Sequence, residues 1–126
     1  MGVEVSIAPP AGVDVGATSG VVAAATATAA IPAVAGRLAY LDGFEFTFGG
    51  ATAGSEVTAT ITGLAAGTKS YVITVPTGAA GLGGSLVVRF PRPLAASGVN
   101  TAITFSCPTL GAGNTAACAN IDGHYV

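Results

Sequence analysis

The chain has 126 residues, of which 51% are hydrophobic and only 8% charged, with a formal net charge of −2 and a mean hydropathy of +0.71. Typical soluble domains carry about 25% charged residues, so Ser, Thr, Asn and Gly must cover most of this surface. The length fits one domain with one core, and four basic residues, Arg37, Lys69, Arg89 and Arg92, give no electrostatic footprint for nucleic acid or an anionic membrane.

The N-terminus has no basic stretch and no continuous apolar run before Pro9-Pro10, so it does not read as a secretory signal. The expectation is a protein made and used without export. Gly2 and Ser6 formally match a myristoylation pattern that is short enough to arise by chance. Residues 1–19 mix Val, Ile and Ala with prolines and single glycines, a composition that neither propagates a helix nor completes a bounded strand. They are expected to form an extended arm, with Val3, Val5, Ile7, Val13 and Val15 as apolar anchors, ahead of a single domain at 20–126. Residues 15–36 are uncharged, but Ala, Gly, Thr and Ser with a break at Pro32 give a weak membrane-transfer energy, and no membrane partner is expected.

Residues 21–30 allow a helix by their alanines or a strand by their Thr alternation, and the downstream context favours a strand. There Leu38, Tyr40, Phe44, Phe46 and Phe48 share one parity and Glu45 and Thr47 the other, the period of a half-buried strand. Asp42 falls on the apolar parity beside Gly43, which predicts a bulge or bend that turns the carboxylate out of the core. The alternation recurs in Val57-Ala59-Ile61, Tyr71-Ile73-Val75, Leu86-Val88-Phe90 and Ile103-Phe105-Cys107, with Thr, Ser or Arg on the other parity and Gly, Pro, Ser or Asn between runs. About seven strands without a crossover helix predict an all-β, antiparallel sandwich, of jelly-roll or immunoglobulin-like topology.

Little in the chain invites catalysis. The stretch Gly63-Leu64-Ala65-Ala66-Gly67-Thr68-Lys69 resembles a phosphate-binding loop, but it has three residues between the glycines, Thr68 before the lysine, and no following helix. It reads as a turn. His124, the only histidine, shares a strand parity with Asp122, yet one histidine lacks the further ligands a metal site requires. No nucleophile elbow accompanies it. Asp42 and Glu45, three positions apart, fall on opposite faces of a regular strand, the wrong arrangement for two acids flanking a substrate bond. Cys107 and Cys118 are symmetric about Ala112-Gly113, so a two-residue hairpin would place them opposite each other; a disulfide and two buried thiols are both open, the absence of an export signal favouring thiols. No cofactor, metal, catalytic residue or small-molecule substrate is expected.

Two segments, Gly36-Arg37-Leu38-Ala39-Tyr40-Leu41-Asp42-Gly43-Phe44-Glu45-Phe46-Thr47 and Val88-Arg89-Phe90-Pro91-Arg92-Pro93-Leu94-Ala95-Ala96-Ser97-Gly98-Val99-Asn100-Thr101-Ala102-Ile103, together with the Gly-rich turns, resemble small tailed-bacteriophage virion proteins. The resemblance spans residues 21–126 and carries no diagnostic functional motif. It implies a capsid decoration, or cement, protein: a β-sandwich, often trimeric, that fastens neighbouring capsomers on the outer capsid surface after assembly in the host bacterial cytoplasm. The partners would be copies of itself and the major capsid protein, with Val3, Val5, Ile7, Val13, Val15, Arg89 and Arg92 as interface residues. The alternative is a fibre or host-recognition domain that reads a surface glycan or protein with loops such as residues 77–84. The absence of Trp and the placement of the three Tyr within strands leave few stacking platforms for sugars.

Overall fold

The computed structural model of the chain describes residues 12–78 and 83–126. The arm anchors Val3, Val5 and Ile7, and most of the Gly-rich connection at 78–84, lie outside the described residues. Eight strands follow in order: β1 (Val13–Thr18), β2 (Ala27–Ile31), β3 (Ala39–Gly49), β4 (Ser55–Thr62), β5 (Lys69–Val75), β6 (Gly83–Ala95), β7 (Ile103–Cys107) and β8 (Ala117–Tyr125). They form two antiparallel four-stranded sheets, ordered β1-β8-β3-β6 and β2-β7-β4-β5. That pair of orders is the two-Greek-key arrangement of an eight-stranded jelly roll. The strands beyond those read from the alternation are β1, which the sequence placed in the arm, and the C-terminal β8. Among the described residues no helix is long and apolar enough to cross a membrane.

Period-two alternation builds both sheets. Val57, Ala59 and Ile61 of β4, Ile73 and Val75 of β5, and Ile103, Phe105 and Cys107 of β7 face inward, and the intervening Thr and Ser face out. In the centre, Phe44 and Phe46 of one sheet meet Phe105 of the other at ring-centroid distances of 5.1 and 5.7 Å. All three are fully buried, which at about 1.5–3 kcal/mol each makes them a main source of the fold's stability.

The parity of β3 changes midway. Its register slips between Leu41 and Gly43 against both neighbours, so Ala39 and Leu41 point inward before the slip and Phe44 and Phe46 after it. The bulge at Asp42 is as the sequence predicts, but it corrects two details. Tyr40 lies on the outer face rather than in the core, and Asp42 and Glu45 emerge on the same outer face, because the extra residue cancels their odd spacing.

The Ala-rich run at 21–30 is strand only from Ala27; Ala23 to Ala25 form a bend in which Ala24 adopts a positive φ of 46°. The turn at Ala112-Gly113 is present, but it joins β7 of one sheet to β8 of the other and is not a hairpin. Cys107 therefore faces the core from one sheet while Cys118 points outward from the other, and both are free thiols. Cys118 is only half-buried. The connection is held by Asn114, the one buried polar side chain among the described residues. Its Nδ2 donates to the carbonyls of Gly49, Gly50 and Ala116, and its Oδ1 accepts from the Ala24 amide.

Candidate functional surface

The two outer faces of the sandwich differ in chemistry. On β1-β8-β3-β6 the outward positions place Asp14, His124 and Tyr40 in one cross-strand row, Asp122 and Arg89 in the next, and Asn120 and Glu45 in a third. Four of the six acidic residues, the only histidine and one arginine thus gather on one face. The strands that contribute them are remote in sequence.

Arg89 Nη1 donates to Asp122 Oδ1 at 2.6 Å, spanning the intervening β3 at Gly43. That hydrogen bond first, and the Asp122 charge second, hold the guanidinium's pKa above its ordinary value. Both side chains are about half exposed, so the pair orients Arg89 more than it stabilises the fold. His124 Nδ1 sits 3.0 and 3.1 Å from the two carboxylate oxygens of Asp42, and its ring stacks on Tyr40 at 5.1 Å and 4°. The partner of His124 is thus Asp42 from β3, and Asp122, which shares its strand, turns to Arg89 instead.

Three depressions mark this face. One, of about 240 Å³, is lined by Gly12, Asp14, Asp42 and His124; a second, of about 410 Å³, runs from Gly16 to Thr18 past Glu45, Arg89, Asn120 and Asp122; a third, of about 540 Å³, lies at the other end of the strands beside Val21, Thr47, Ser85 and Cys118. Among the described residues no group of three or more His, Cys, Asp or Glu side chains is arranged to hold a metal ion. Cys118 sits on the same strand and face as His124 but about 20 Å away, where it contacts Thr18 and Asn120. The histidine–carboxylate pair offers hydrogen-bonding groups at this end of the face.

The outer face of β2-β7-β4-β5 is the opposite case. Thr28, Ser106, Thr60 and Ser70 form one continuous row across all four strands, and Thr104 pairs with Thr62 in the next. Every outward position from β2 to β5 is Ser or Thr apart from Ala30, Val72 and Glu56. Thr28 and Ser106 exchange a hydroxyl contact at 3.4 Å. The result is a neutral hydroxyl surface with a single carboxylate at its corner.

Of the interface residues expected from sequence, those among the described residues do not converge on one place. Val13 is 56% exposed at the start of β1, whereas Val15 packs against the core from the same strand. Arg89 is committed to Asp122, and Arg92 is exposed near the far end of β6. Sequence reading missed both the Asp14–Asp42–His124 grouping and the unbroken hydroxyl rows. The second was signalled by the outward threonines, but a row across strands needs the register. No family model, curated protein or solved structure matches this chain.

Proposed function

We propose that this chain is a non-enzymatic structural virion protein, a decoration subunit that acts with copies of itself on the outer surface of a tailed-phage capsid and fastens neighbouring capsomers. The reading is supported by the jelly-roll strand order, an architecture that recurs in viral capsid and lectin domains, which is a fold-level analogy. The observation that carries it is the hydroxyl face of β2-β7-β4-β5. A rigid four-stranded sheet whose outward side chains are short, neutral and in register packs against another protein surface without desolvating charges.

The test is co-sedimentation with capsids assembled from a tailed-phage major capsid protein. Thr60→Lys with Thr104→Lys places two charges in the middle of the hydroxyl face, while Asn120→Lys places one on the opposite face. Loss of binding in the first variant and retention in the second is the expected outcome; the reverse pattern assigns docking to the charged face.

A glycan-reading domain is the second reading, favoured by the carboxylates and imidazole around the Asp14–Asp42–His124 depression, which suit sugar hydroxyls. It ranks lower because the neighbouring aromatic face, that of Tyr40, is already covered by His124.

A further inference from the structure

Among the described residues, three of the four sheet edges are closed or guarded. β1 and β2 pack against each other. β6 carries Pro91, Arg92 and Pro93, all exposed, where its residues from Phe90 to Pro93 stand against Asp42 alone in β3; prolines, a charge and a bulge are the devices by which an edge refuses a further strand. β5 has none of them along its length. Its register against β4 is unbroken from Lys69 to Val75, it contains no proline, and its one charge sits on its first residue. β5 and β6 scarcely touch, so the sandwich is open between them. Tyr71, Leu86, Val88 and Phe90 face inward there but are only half-buried. Between the two edges runs a groove of about 210 Å³, walled by Phe48, Ile73 and Leu86, with Val72 on its rim. Val72, the middle residue of β5, points outward and is 67% exposed.

The order of side chains in β5 is complementary to itself. Residues directly opposite each other in an antiparallel pair point to the same face. Two copies of β5 related by a two-fold axis therefore keep their inward residues inward only if the axis passes through a residue rather than between two. The register of full overlap passes through Val72. It sets Ser70 against Thr74 on the hydroxyl side and Tyr71 against Ile73 on the inner side, with the two Val72 side chains meeting on the axis. Lys69 falls beside Val75 of the other copy, about 20 Å along the strand from the second Lys69, so no like charges meet. The same axis brings the two grooves face to face.

We infer that two copies of this chain join through β5 as a two-fold dimer, in which the two β2-β7-β4-β5 sheets run on as one and each sandwich closes the open side of the other. Main-chain hydrogen bonds along the edge supply affinity, and the alternate side chains fix the register. The contact is isologous, each copy giving and receiving the same surface. An edge about 23 Å long and a sandwich about 20 Å thick bury about 900 Å² over both copies, the class of a weak, reversible association. Ser70 and Thr74 carry the neutral hydroxyl face across the axis, so the dimer presents that face twice over on one surface. The inference does not rest on the capsid reading, and it is read on purified protein without capsids, so the two fail separately.

The experiment is light scattering on the full chain from micromolar to millimolar concentration, over which the mass should rise about twofold, from monomer to dimer. Val72→Lys puts like charges on the axis at a position already exposed. It is expected to stay monomeric throughout with an unchanged circular dichroism spectrum, while Val72→Ile keeps the dimer. In a Cys118→Ser background, Val72→Cys should form a disulfide-linked dimer on oxidation, because the two thiols meet on the axis at a separation a disulfide spans. Thr74→Cys, whose counterpart lies about 13 Å along the strand, should not. A chain that is monomeric at every concentration, its β5 edge free or covered by its own residues, would overturn the inference. So would a mass above that of two copies, a Val72→Lys variant that still dimerises, or Thr74→Cys cross-linking as readily as Val72→Cys.

Discussion

Arg89 reaches Asp122 across a strand that separates them, and it does so because position 43 carries no side chain. A Cβ at Gly43 would lie 2.6 Å from the Val88 carbonyl and 2.7 Å from Arg89 Nη1, at the point where the β3 register slips. The arginine can swing away, but the carbonyl belongs to the backbone. Gly43→Ala is therefore expected to cost about 1–3 kcal/mol, more than Asp122→Asn, which removes only an exposed pair. Thermal unfolding of the two variants measures the order; equal melting temperatures would show that the bulge tolerates a side chain.

Asn114 is the polar pin of the crossing between sheets. Asn114→Ala leaves the carbonyls of Gly49, Gly50 and Ala116 and the Ala24 amide without this partner, and a loss of about 1–3 kcal/mol is expected. Asn114→Asp does no better, because it keeps an acceptor where donors are needed. Urea denaturation should show a lower midpoint with the slope preserved.

The two cysteines respond differently to reagents and to pH. Burial pushes the Cys107 thiol from its ordinary 9.0 up to about 11, so at pH 8 a thiol-specific reagent should modify Cys118 promptly and Cys107 only on unfolding. Since the unfolded chain ionises this thiol first, its contribution to stability is complete below about pH 9 and is lost as pH rises toward about 11. Cys107→Ala should flatten that decline. Tyr71 and Tyr125, also raised by burial, supply the part that remains. Rapid modification of both thiols at pH 8 in native protein would contradict the placement.

The strands legible in the sequence are those whose inward residues are large. β4, β5, β6 and β7 announce themselves because Val, Ile, Tyr and Phe alternate with Thr, Ser or Arg. β8 is hidden by its position. It lies between β1 and β3 beneath the phenylalanine cluster, where Ala117, Ala119 and Gly123 fit and bulk does not, so a central strand is spelled in residues that read as loop. The same strand defeats the hairpin geometry inferred for Cys107 and Cys118. Symmetry about a turn fixes a pairing only if both flanks join one sheet, and here they join two. The charged face was illegible for a related reason. Asp14, Asp42 and His124 meet through strand order, and Asp42 and Glu45 share a face only because of the bulge beside Gly43, which shifts the parity of everything after it.

Under the proposed function, scarcity of charge suits this jelly roll to neutral contact with a capsid surface. The most direct measurement is its saturable co-sedimentation with capsids across a range of ionic strength. A contact made through the hydroxyl face should saturate at a fixed ratio per capsomer and hold its affinity from low salt to about 1 M, where charge–charge contacts are screened within about 3 Å. Absence of binding, or binding that falls steeply as salt is raised, would contradict the account and return attention to the carboxylate-rich face.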